Sequence, residues 1–202
     1  SYSVTGVQTC ALPILWRSGS NLISRVFLKR NKLQMKIIPI DWSISLFTQN
    51  VIDVINVMHY NEYYQLLQAG IKEEDLFVVP LSDPKYNIPD EGLYVTKQFY
   101  QANKAHCKAF AEATMDGWHY AVSHPEETLE VVLEIMQNAK LRANKSHQEW
   151  MLEKMKDMVM VNTPKAGILS QTDFANAISI LKEFENYKRD LKYEEFYPDA
   201  TK

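Results

Sequence analysis

Five consecutive residues, His59, Tyr60, Asn61, Glu62 and Tyr63, bring aromatic rings, a carboxamide and a carboxylate together where an apolar run gives way to a helical pattern. A tyrosine ring can stack on a flat heteroaromatic. A carboxylate or carboxamide beside it can bond a ring nitrogen and an exocyclic amino group, the groups an aminopyrimidine presents. Ligands of open α/β sheets bind beyond the C-terminal ends of strands, which is where this cluster falls. A plainer reading stands beside it: Tyr63 and Tyr64 as partly buried helix residues, with Glu62 merely favouring the positive end of the helix dipole.

Two further segments occupy equivalent positions. Trp16, Arg17 and Ser18 open the turn WRSGSN, rich in small residues and followed by a helix. Free backbone N–H groups and a guanidinium there would suit an anion, and a capped helix with a surface arginine is the alternative. Asp41, Trp42 and Ser43 follow another apolar run, where Trp42 either lines a cleft or fills a core. Catalytic and metal readings find less support. The five histidines show no metal-ligand spacing with Cys or acid, and HExxH, CxxC and GxSxG are absent. Cys107 lies on an apolar helical face and reads as a small core residue.

The elements that must position these residues follow an alternation of short apolar runs and amphipathic helices, the pattern of βαβ units. Leu15 and Trp16 read as the end of a first strand. A helix with Leu22, Ile23, Val26 and Phe27 on one face follows. Strands are expected at Met35 to Ile40, Asp53 to Met58 and Leu76 to Pro80. Short helices are expected at Asp41 to Asn50, capped by Asp41 or Ser43, and at Tyr60 to Ala69, closed by Gly70. The polar, proline-broken stretch from Leu81 to Gly92 reads as a connection. After a brief strand at Leu93 to Val95 the pattern is helical. Helices are expected from Lys104 to Val122, from Pro125 with Leu129, Val132, Leu133 and Met136 inward, and from Ser146 to Met160. A last one runs from a Ser170 to Asp173 capping box through Glu185, with Phe174, Ala177, Ile178 and Leu181 inward.

The chain has 202 residues, 46% hydrophobic and 23% charged, an ordinary globular composition. Its net charge of -3 gives no footing for a phosphate backbone, so nucleic acid is not an expected partner. No apolar run approaches the roughly 18 to 20 residues that cross a bilayer. Residues 1–14, SYSVTGVQTCALPI, carry no charge and no period. Ser3 to Ile14 resembles the translation of a sequencing-library adapter, so this segment is set aside as non-native.

Three ordered segments, VMHYNEYYQLLQAG, IPDEGLYVTKQFY and FAEATMDGWHYAVSHPEETLEVVL, resemble the thiamine-pyrimidine-precursor branch of the type II periplasmic binding proteins, which also includes the fungal pyrimidine synthases. The likeness runs from about Trp16 to Pro198. It implies an α/β fold of two hinged lobes, truncated here: residues 15–92 as most of lobe two, and residues 93–202 as a crossover and the helical C-terminal part of lobe one. It implies that Tyr60 and Glu62, with Asn61 beside them, hold the pyrimidine in the interlobe cleft, and that the turn from Arg17 through Ser18 to Ser20 contacts the polar end of the ligand. Trp16 and Trp42 are added to the expected border by their positions at strand ends. The implied activity is capture of a thiamine-precursor pyrimidine or similar heteroaromatic without cofactor, metal or catalysis. Delivery would be to the permease and ATPase of an ABC importer. Location would then be periplasmic, or extracellular and lipid-anchored, with membrane contact only through the permease or a lost anchor. The alternative is a soluble pyrimidine synthase of the fungal type, which draws on pyridoxal phosphate, a histidine and a cysteine-rich segment. The two cysteines, Cys10 and Cys107, form no such run.

Overall fold

The computed structural model describes residues 13–16, 22–40, 43–83, 85–86, 88–89, 92–159 and 166–198. The chain divides into two compact units, one of Ser1–Ile88 and Asn176–Lys188, the other of Pro89–Ala175 and Arg189–Lys202.

The first unit is built on three parallel strands, β1 (Pro13–Trp16), β2 (Ile38–Ile40) and β3 (Val54–Ile55), in the order β2-β1-β3. Ile14 pairs with Ile38 on one side and Ile55 on the other, and Trp16 pairs with Ile40. The central strand is an unbroken apolar run, PILW, the composition usual for strands of a parallel sheet. It starts two residues before the expected Leu15, so Pro13 and Ile14 belong to the sheet. Pro13 sits at the first strand position, where a missing N–H is tolerated.

Parallel neighbours need crossover connections. Helix α1 (Leu22–Arg30) joins β1 to β2, and α2 (Ser45–Thr48) lies between β2 and β3. The two helices pack into different clusters. Around α1, the fully buried Val26 meets Ile180 and Tyr86, with Leu22, Phe27, Leu81 and Phe184 at the margin. Around α2, Leu46 and Phe47 pack with Ile38 and Ile55 against buried Ile52. The next helix, α3 (Glu62–Gln68), ends in a Schellman turn: Gly70 takes φ +92, its N–H donates to Leu67 O, and Ile71 N–H donates to Leu66 O.

Two expectations for this unit are corrected. Leu76 to Pro80 is not a strand: a one-turn 3-10 helix at Glu73–Asp75 precedes it, and Phe77 is 69% exposed. Its β-branched composition sets a local preference, but no neighbouring strand among the described residues supplies a ladder. The stretch from Leu81, expected as a bare connection, contains a core anchor. Tyr86 is buried edge-on to Phe27 with ring centroids 5.1 Å apart, and its hydroxyl accepts a 3.0 Å hydrogen bond from Asn31 Nδ2.

The second unit is helical: α4 (Lys97–Ala102), α5 (Lys104–Ser123), α6 (Pro125–Asn138), α7 (Lys145–Val159), the start of α8 (Gln171–Phe184) and α9 (Tyr193–Phe196). Its boundaries follow local chemistry. Thr96 Oγ1 accepts Phe99 N–H, Pro125 takes the first-turn position of α6, and Ser170 Oγ accepts Asp173 N–H while donating to the Asp173 carboxylate. Helix α7 begins at Lys145, one residue before the expected Ser146, and Asn144 caps it by accepting His147 N–H at 3.2 Å. The brief strand expected at Leu93 to Val95 is absent, and those residues are exposed and unpaired by any ladder. Phe174 packs edge-on against Tyr193 and beside Phe196, each with centroids 5.6 Å away. In the first unit the later part of α8 buries Ile180, which falls outside the expected face of Phe174, Ala177, Ile178 and Leu181.

Candidate functional site

Because the three strands are parallel, their C-terminal ends share one edge of the sheet. The chain leaves that edge three times, after Trp16, after Ile40 and after Ile55, the last into the described segment Asn56 to Glu62. Three strand ends far apart in sequence thus share one edge by topology alone. The order β2-β1-β3 also reverses direction at β1, since the first crossover runs to one side and β3 adds on the other. That makes the gap beyond β1 and β3 a topological switch point, the usual ligand crevice of an open α/β sheet.

The described part of this edge is the turn after β3. Glu62 is 5% exposed, and both its oxygens have partners: Oε2 accepts Met58 N–H at 2.9 Å and Oε1 accepts Asn61 Nδ2 at 2.8 Å. Asn61 Oδ1 in turn accepts from Gln65 Nε2 at 3.1 Å. A carboxylate oxygen has two lone-pair directions, so each keeps one for a further donor. Glu62 thus folds the turn that carries Tyr60 and remains an acceptor. Tyr60 is half-buried. The exposed His59 ring lies 5.1 Å from the Tyr63 ring, tilted by 35°. Tyr63 is buried, with its hydroxyl 3.3 Å from Glu73 Oε1. Burial first, and then the Glu73 carboxylate, push its pKa above the ordinary tyrosine value.

Of the other expected site residues, Trp16 is the last residue of β1, opposite Ile40. Arg17, Ser18 and Trp42, like the expected cap Asp41, lie outside the described residues. Ser43 Oγ accepts Ser45 N–H at 3.1 Å, but the expected cap is not at Ser43: Ile44 takes the N-cap position of α2 and makes no side-chain cap bond. Two residues of this region were not legible beforehand. Asn56, the first residue after β3, donates from its carboxamide to the hydroxyl of Ser24 in the first turn of α1, where Ser24 is 7% exposed. The only local signal was a polar residue directly after an apolar strand.

The second unit holds a cavity of about 370 Å³ between α5, α6 and α7, lined by Trp118, Leu129, Val132, Met151 and Met155 among others. The hydroxyls of Thr114 and Thr128 on its wall donate to the backbone oxygens of Phe110 and Ala121, which leaves the lining apolar. None of the described candidate site residues is among those lining it. Among the described residues there is no group of three or more His, Cys, Asp or Glu able to hold a metal ion, and no helix is long and apolar enough to cross a membrane.

No curated protein is similar enough to the chain to count as a match. One family model, described as NMT1/THI5 like, matches residues 21–128, more than half of the chain and inclusive of α1, β2, β3 and the Tyr60 to Glu62 turn. Its members have a periplasmic-binding-protein-like fold and small-molecule ligands, and they include both solute-binding proteins and pyrimidine synthases. With that match added to the parallel sheet and its polar C-terminal edge, the chain belongs to the NMT1/THI5-like family.

Proposed function

We propose that the chain captures a thiamine-precursor pyrimidine, or a similar small flat heteroaromatic, at the C-terminal edge of its sheet, as the solute-binding component of an ABC importer. The observation that carries this reading is the convergence of three strand ends on one edge, with a buried, hydrogen-bonded carboxylate shaping the turn after β3. In this reading Tyr60 stacks on the ring. Glu62 accepts from the exocyclic amino group, and Asn61 bonds beside it. Trp16, Arg17, Ser18 and Trp42 complete the border from the segments after β1 and β2.

Capture without chemistry is preferred to pyrimidine synthesis because the chain has two cysteines, Cys10 and Cys107, and no cysteine-rich run. Delivery would be to a permease and ATPase pair. The site of action would be periplasmic, or extracellular on a lipid anchor. The test is calorimetric titration of the chain with 4-amino-5-hydroxymethyl-2-methylpyrimidine. Saturable binding that weakens about tenfold in Tyr60→Ala, the loss expected for one stacked ring, supports the reading. Absence of binding, or release of a pyrimidine when the chain is incubated with pyridoxal phosphate, overturns it.

A further inference from the structure

Burying a polar side chain is costly unless it is hydrogen-bonded, so the place where a protein does this shows what its fold must hold still. Among the described residues two polar or charged side chains are buried, Ser24 and Glu62. Both accept hydrogen bonds from the same short segment, residues 56–61: Asn56 Nδ2 donates to Ser24 Oγ, and Met58 N–H and Asn61 Nδ2 donate to Glu62. The two differ in reach. Glu62 closes a local turn, whereas Ser24 belongs to the helix that follows β1, two residues before the fully buried Val26 that seats α1 in the core. The Asn56 bond therefore ties the end of β3 to the helix after β1, the two elements that flank the switch point between β1 and β3.

We propose that Asn56 is a positioning residue for the ligand site: through the buried hydroxyl of Ser24 it fixes the spacing between the segment after β3 and the first turn of α1, and so holds the crevice in its binding shape. The proposal deepens the assignment of the ligand site to this sheet edge and rests on it. The carboxamide suits the task. It is uncharged, so partial burial beside Ser24 carries no ionic penalty, and its short side chain links the hydrogen bond closely to the backbone at the end of β3.

The experiment compares the intact chain with Asn56→Ala, Ser24→Ala, the double variant and the exchanged pair Ser24→Asn with Asn56→Ser. Two readouts are taken: affinity for 4-amino-5-hydroxymethyl-2-methylpyrimidine, and backbone amide hydrogen exchange across the first unit. Each single variant is expected to weaken binding about tenfold, with the double variant no weaker than either single one, because both remove the same bond. The exchanged pair is expected to regain part of the affinity. In the absence of ligand, the amides of residues 57–61 are expected to exchange about tenfold faster while those of α2 and α3 keep their protection. Additive losses of affinity, or a melting temperature that falls while affinity stays unchanged, would overturn the positioning role. If the parent chain binds no pyrimidine, the ligand assignment fails on its own, and the exchange readout still decides: unchanged protection at 57–61, or loss spread through the whole unit, would refute the clamp.

Discussion

The carboxylate of Glu62 reaches back four residues to accept the Met58 backbone N–H at 2.9 Å, and Asn61 Nδ2 donates to its other oxygen at 2.8 Å. A residue read first as a ligand contact is thus also the brace of the turn that carries Tyr60. Removing it leaves a backbone donor without its partner in a largely buried place. Glu62→Ala is expected to cost about 1–3 kcal/mol. Glu62→Gln, which keeps an acceptor for Met58, should cost less than half as much. Urea denaturation of the two variants checks both values, and equal losses would deny the carboxylate its bracing role.

Ile180 and Val26 are both fully buried and belong to one cluster with Tyr86. Truncation at Ile180 opens a cavity that rigid neighbours fill only in part, so Ile180→Ala is expected to destabilise the first unit by about 2–4 kcal/mol. The ion pairs nearby, Arg25 with Glu185 at 2.8 Å and Arg30 with Glu183 at 2.7 Å, are partly exposed. Charge removal there should change stability by under about 1 kcal/mol. Comparison of the two kinds of variant in one denaturant series separates apolar from ionic contributions.

Gly70 closes α3 at φ +92, and a Cβ placed there meets nothing within 4 Å. The obstacle to substitution is therefore backbone strain and not crowding. Gly70→Ala is expected to cost about 1 kcal/mol, and Gly70→Asn less, because asparagine tolerates the left-handed region better. A Gly70→Ala protein as stable as the parent would show that the helix ends in another way.

Tyr63 has its pKa raised by burial and by the Glu73 carboxylate. A raised folded-state pKa means that the native chain holds the proton more tightly than the unfolded one. This contribution is complete below the unfolded value, 10.0, and is lost as pH rises through the folded one. The stability of the parent relative to Tyr63→Phe is therefore expected to fall as pH rises above about 10. Denaturation curves of both proteins at pH 8, 10 and 11 test the sign, and a constant difference would place Tyr63 in an unperturbed setting.

Features governed by neighbouring residues were legible in the sequence. Pro125 at the first turn of α6, the Ser170 and Asp173 pair before α8, and Gly70 after α3 all occupy their expected places. Features governed by distant partners were not. The apolar run at Phe77 to Val79 has strand composition but no ladder among the described residues. Tyr86 sits in a proline-broken stretch that local rules assign to solvent, yet Phe27 on α1 and Asn31 just after it pack against it. Ile180 lies roughly a third of a turn round α8 from Phe174, and the single apolar stripe read from periodicity missed it. The positions of Tyr60, Asn61 and Glu62 beyond a strand end were readable. The Asn56 to Ser24 bond was not, because nothing in sequence spacing links a helix turn after one strand to the first residue after another.

The central claim is that the ligand lies at the C-terminal edge of the three-stranded sheet. The most direct test maps backbone amide chemical shifts as 4-amino-5-hydroxymethyl-2-methylpyrimidine is added to the isotopically labelled chain. Saturable shifts concentrated at residues 16–21, 40–43 and 56–62 are the predicted result. Shifts concentrated on Trp118, Leu129 and Met151 at the apolar cavity, with the sheet edge undisturbed, would contradict the account.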